Sequence, residues 1–126
     1  MMANYWPHLL AMLVGGALTV QVGMNATLAR VIGSPLWASA INFAIGLLAL
    51  VGFAGVAGAR AWTGSFGHVP AWAWIGGLLG AGYVASVTIL GPRLGGMTMV
   101  ALVIAGQLIV ALVVDQFGIL GYPQIA

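Results

Sequence analysis

Four long apolar stretches, separated by three short polar or glycine-rich breaks, organise this chain. They run over residues 7–29, 36–58, 70–90 and 97–117. Each is close to the roughly 20 apolar residues that a helix needs to cross a bilayer. The breaks carry turn chemistry. The first, from Arg30, ends in Gly33-Ser34-Pro35; the second holds Arg60, Thr63, Gly64, Ser65, Gly67 and His68; the third, Gly91-Pro92-Arg93-Leu94-Gly95-Gly96, reads as a tight turn. Pro7, Pro35 and Pro70 sit where three of the stretches begin. Proline is tolerated there because the N–H it lacks would be unpaired in the first turn anyway. A soluble helical bundle is excluded, because soluble helices keep one charged or polar face and these stretches carry Leu, Val, Ile, Ala and Gly all round. The pattern predicts an all-α integral membrane protein. Its four transmembrane helices are joined by short loops and make one transmembrane domain over residues 1–126.

Composition reinforces this reading. The chain has 126 residues, 63% hydrophobic and 3% charged, against about 25% charged in an ordinary soluble domain. Lipid must therefore be the solvent for most of the surface. The net charge of +2 is spread over three arginines in three separate breaks. Nucleic-acid binding needs clustered basic residues and is not expected. Absence of cysteine excludes disulfides, thiol catalysis and thiolate metal sites. The first stretch has no basic residue before it and is longer than the roughly 7–15 apolar residues of a signal peptide, so it reads as a retained helix. Aromatic residues mark the interfaces: Tyr5, Trp6, Trp62, Trp72, Trp74 and Tyr122 on the side of the termini, Trp37 on the other. Arg30 and Arg93 fall on one side and Arg60 on the other. A bias of one charge leans toward external termini and permits insertion both ways round.

Chemistry is sparse. The small residues Gly76, Gly80 and Gly82 of the third stretch are expected to let neighbouring helices approach closely. Polar side chains inside hydrocarbon are costly unless paired, so each one is informative. Gln21 and Asn25 are four residues apart and share a helix face. Asn42 lies on the second helix, Tyr83 and Ser86 on the third, and Gln107 near the middle of the fourth. These six are the candidate lining of a cavity for a polar, neutral or weakly charged molecule. The competing role for each amide is a helix-to-helix hydrogen bond. Asp115 is the lone acid, and it and Arg93 are the candidates for coupling or for an ion pair. Arg93 stands at a cavity mouth or anchors its turn at the headgroups. No catalytic constellation, metal-ligand cluster or phosphate-binding loop occurs, so neither an enzyme nor a cofactor is expected.

The segment QVGMNATLARVIGSPLWASAINFAIG at 21–46 resembles the first two helices of the small YdcZ-type inner-membrane proteins, within the drug/metabolite transporter superfamily. From Pro70 to Tyr122 the likeness continues through a tryptophan-rich opening, GGLLGAGYV, GPRLGG and ALVIAGQLIVALVVDQFGILGYP. The resemblance implies a multipass protein of the bacterial inner membrane. It implies a half-size transporter subunit that moves a small polar metabolite or drug-like molecule. Its partners would be the bilayer, a small-molecule substrate and either further copies of the chain, an antiparallel dimer being one arrangement, or a sister subunit. A passive channel-forming oligomer and a non-transporting accessory subunit are the alternatives. Small multidrug exporters of that superfamily carry a glutamate in the first helix. Here that helix offers only Gln21 and Asn25, which counts against proton-coupled export of cationic drugs.

Overall fold

The structure is a computed structural model and describes residues 4–58, 64 and 66–125. Arg60, Trp62, Thr63 and Ser65 of the second break lie outside the described residues.

Four helices carry the fold, all long and apolar enough to cross a membrane. Helix α1 spans Trp6–Ile32, α2 Pro35–Val56, α3 Gly76–Leu94 and α4 Gly96–Phe117. Ahead of α3 the chain makes 3-10 turns over Phe66–His68 and Ala71–Ile75. At roughly 1.5 Å per residue, the 27 residues of α1 extend about 40 Å. That exceeds the ~30 Å hydrocarbon layer, so α1 fits by tilting or by standing proud at one end. Helices α1, α2 and α3 pack against one another, whereas the main neighbour of α4 is α3.

The α1–α2 connection is local chemistry. Gly33 adopts φ +80° and its N–H donates to the Ala29 carbonyl at 2.9 Å, which closes α1. A left-handed residue at this point favours glycine. Ser34 then caps α2, its Oγ accepting from the Trp37 N–H at 3.3 Å, and Pro35 occupies the first helical position.

The third break differs from its sequence reading. Gly91, Pro92, Arg93 and Leu94 are not a turn but the last residues of α3, and Gly95 alone joins α3 to α4. Pro92 sits in the final turn, where losing one backbone hydrogen bond ends little structure beyond it. The Gly95 N–H reaches back past it to the Gly91 carbonyl at 3.0 Å, and Gly95 itself takes φ +81° and ψ +150°. The start of this span is also displaced, with 3-10 geometry over Ala71–Ile75 before the α-helix begins.

The core is small and lies toward one end. Ala26 and Ala29 of α1, Ala38 of α2, Val84 and Val87 of α3, and Met99 of α4 are buried. All but Val84, at the middle of α3, lie in the halves that adjoin the Gly33 and Gly95 turns. Val114 is the buried side chain at the other end, where the chain after Gly118 folds back and Ile125 N–H donates to the Asp115 carbonyl at 2.7 Å. Residues 9–20 of α1 and 101–113 of α4 keep nearly all of their apolar side chains exposed.

Of the three expected packing glycines only Gly80 has a neighbour in contact, and the closest approach between helices lies at Gly91. A Cβ built on Gly76 or Gly82 would meet nothing within 4 Å, while one on Gly80 would touch the Phe43 ring of α2 at 3.6 Å. The tightest approach among the four transmembrane helices is at Gly91, where a Cβ would lie 3.0 Å from Cγ1 of Val22 on α1. Gly91→Leu is expected to destabilise the α1–α3 packing by about 1–3 kcal/mol through overpacking. Gly91→Ala should be close to neutral, because its better helix propensity, worth about 1 kcal/mol, offsets a small adjustment of Val22. Thermal unfolding in detergent, followed by helical circular dichroism, separates the two.

Candidate transport groove

Five of the six candidate cavity residues divide between two faces of the bundle, and Ser86 joins neither. Gln21 and Asn42 meet across the α1–α2 interface, where Gln21 Nε2 donates to Asn42 Oδ1 at 3.2 Å. Asn25, one helical turn along the same face of α1, is 4% exposed. Ser39 is buried on the facing side of α2 and donates to its own Pro35 carbonyl at 2.8 Å. Together these form a polar seam. A hydrogen bond of the Gln21–Asn42 type is worth roughly 0.6–2 kcal/mol between membrane helices, and both amides spend part of their capacity on it.

Tyr83 and Gln107 lie on the other face. They line a narrow cavity of about 60 Å³ between α1, α3 and α4, with Leu18, Thr19 and Val22 from α1 and Met99, Val100, Val103 and Ile104 from α4. Ser86 is exposed and lines none of the cavities described below. Gln107 is exposed on α4 and makes no hydrogen bond among the described residues.

This narrow cavity belongs to a longer feature. Toward the turn end it shares Thr19, Val22, Met99 and Val100 with a cavity of about 360 Å³ that reaches Arg30. That one shares Ala26, Arg30 and Pro92 with a cavity of about 300 Å³ walled by Arg30 and Arg93. Toward the other end Gln107 also lines a cavity of about 630 Å³ that ends at Asp115 and Tyr122. The four adjoin one another along the bundle as a discontinuous groove, the narrow one at Tyr83 and Gln107 lying between wider ones, and the one that ends at Asp115 is lined by α4 and the residues after it alone. Its ends carry opposite charges, two guanidiniums at one and a carboxylate at the other.

Among the described residues Asp115 and Arg93 form no ion pair, and their cavities lie at opposite ends of the groove. No cluster of metal-ligating side chains occurs among the described residues. Thr19 was not evident as a lining residue from sequence. Its Oγ1 donates to the Gly15 carbonyl at 3.3 Å, the self-satisfaction that makes threonine tolerable inside a membrane helix.

Among the described residues, four helices long and apolar enough to cross a membrane define a multipass helical membrane protein. Residues 6–126 match the family described as "Putative inner membrane exporter, YdcZ". That is nearly the whole chain, and the protein belongs to this family. It is a multipass inner-membrane protein, and the family points to transport rather than catalysis. No curated protein and no solved structure matches the chain.

Proposed function

We propose that this chain is a half-size subunit of a secondary transporter that exports a small polar or drug-like molecule, with the α1–α3–α4 groove as its pathway. The observation that carries the reading is the constriction, where Tyr83 and Gln107 stand in a mostly apolar wall around a cavity of about 60 Å³ between much larger ones on either side. A carrier binds substrate near the midplane and opens to each side in turn. A narrow waist with two residues able to hydrogen-bond, between two wider spaces, suits that cycle.

The working unit in this reading is two copies. The groove opens along its flank, and the exposed Gln107 amide has no hydrogen-bond partner in its own chain among the described residues. Hydrocarbon leaves such a group unsatisfied at a cost. A second copy covering α4 would shield it and close the groove. The Gln21–Asn42 seam holds α1 to α2 in each copy and stays outside the pathway.

Comparing the small molecules released by cells with and without the protein tests the reading. Mass spectrometry of the medium should show at least one polar compound several-fold enriched when the chain is expressed. Its efflux should saturate with internal concentration. An unchanged medium across growth conditions, with the protein present in the membrane, would contradict export.

A further inference from the structure

We infer that Arg30 and Arg93 form a binding site for a phosphate-type oxyanion at the turn end of the bundle. Arg30 and Arg93 both line one cavity of about 300 Å³, whose remaining wall includes Gly33, Pro35, Thr88 and Pro92. Two cations share this pocket with no counter-charge. The single acid of the chain is Asp115, and it lines the cavity at the far end of the groove. Helix dipoles do not supply the balance. Arg30 and Arg93 lie in the last turns of α1 and α3, whose C-terminal ends are partly negative, but the N-terminal ends of α2 and α4 open at the same level with the opposite sign. The four helix ends roughly cancel and leave two full positive charges.

The donors are largely free and partly positioned. Arg30 spends one N–H on Thr27 Oγ1 at 3.1 Å, and Thr27 Oγ1 in turn donates to the Gly23 carbonyl at 2.9 Å. That leaves most of the planar fork of Arg30 unspent. Arg93 makes no hydrogen bond among the described residues. Guanidinium forks match the paired oxygens of phosphate better than any other side chain. Depth fits as well. The pocket lies at the ends of the spanning helices beside the exposed, interface-marking Trp37, at the level where lipid phosphates reside. Basic pockets between membrane helices at this level take acidic headgroups. The oxyanion has two sources, an acidic lipid headgroup reaching the pocket from the bilayer or a soluble phosphate compound entering from water.

The site is independent of the transport reading, because its test reads binding alone. Full-length protein in a neutral detergent is mixed with dioleoyl phosphatidylglycerol, with dioleoyl phosphatidylcholine, or with inorganic phosphate. Retained lipid is counted by native mass spectrometry and thermal unfolding is followed alongside. Preferential retention of phosphatidylglycerol, weakened about tenfold or more when the charged hydrogen bonds of one arginine are lost in Arg30→Gln or Arg93→Gln, assigns the site to a headgroup. Stabilisation by inorganic phosphate, lost in the same variants, assigns it to a soluble oxyanion. The paired Arg30→Lys, Arg93→Lys variant keeps charge without the fork and should bind between the two limits. Its helical circular dichroism shows whether the fold is intact. Equal retention of both lipids with no response to phosphate overturns the site. So does a phosphatidylglycerol preference that survives in Arg30→Gln and Arg93→Gln.

Discussion

Gln107→Leu is expected to cut export by about tenfold or more while the protein inserts and folds as before. Gln107 is the one residue common to the narrow cavity and the wide one that ends at Asp115, so every path along the groove passes its side chain. Its amide can both donate to and accept from a polar substrate. Leucine has similar size and neither capacity. Losing one or two hydrogen bonds at the constriction should slow flux by about tenfold or more. Stability moves the other way. Gln107 makes no hydrogen bond among the described residues and is exposed, and leucine is favoured over a polar residue at membrane depth. Membrane levels of the variant should therefore equal or exceed those of the parent protein. Release of the exported compound, normalised to protein in the membrane, reads the effect. Normal flux through a well-inserted Gln107→Leu variant would remove the constriction from the pathway.

Co-expression of that impaired variant with the parent protein should be dominant. If two copies make one transporter and one damaged waist disables the pair, equal amounts of the two chains leave about a quarter of the assemblies intact under random pairing. Independent monomers would leave about half. The difference is large enough to read from export rates when each form carries its own tag. The physical basis is the position of α4, whose main packing neighbour is α3. Leu108, Ile109, Val110 and Leu112 are all exposed on it, together with a polar group at Gln107. In that reading a second copy would shield the amide, which lipid cannot do.

Much of the architecture is legible in the chain because a bilayer leaves few options. Unbroken apolar stretches of spanning length must be helices, since every backbone polar group has to be satisfied within the segment. Gly33-Ser34-Pro35 announces both the end of α1 and the start of α2 through residues suited to those positions. Gly91-Pro92 misleads for the reason that makes it look informative. Proline breaks a helix by removing a hydrogen bond from a turn that must continue, and at Pro92 almost nothing follows it. The start of the third span shows the same limit, because sequence marks Pro70 as a beginning without distinguishing the 3-10 turn over Ala71–Ile75 from an α-helix.

The candidate site is legible residue by residue and not as an arrangement. Spacing places Gln21 and Asn25 on one face of α1, but only packing decides that this face turns to α2 and leaves Thr19 and Val22 for the groove. Asn42 then becomes a partner for Gln21 rather than a neighbour of Gln107. Met99 and Val100 form groove wall with no chemical signal at all. Arg30 and Arg93 are 63 positions apart by their numbers, and nothing local in either stretch says that they share a pocket. Their meeting follows from two antiparallel helix pairs folding against each other.

The central claim is that water and substrate pass along the α1–α3–α4 groove, and the cysteine-free chain allows a direct test. Single cysteines at Thr19, Val100 and Val110, all groove-lining, would be compared with cysteines at Leu13, Leu48 and Leu78, which are exposed and line none of the four cavities. A charged, water-soluble methanethiosulfonate reagent is applied to the protein in membranes. The groove positions should react rapidly and the other three should stay inert, because a thiol in hydrocarbon neither ionises nor meets the reagent. Groove positions as unreactive as Leu13, Leu48 and Leu78 would contradict the pathway.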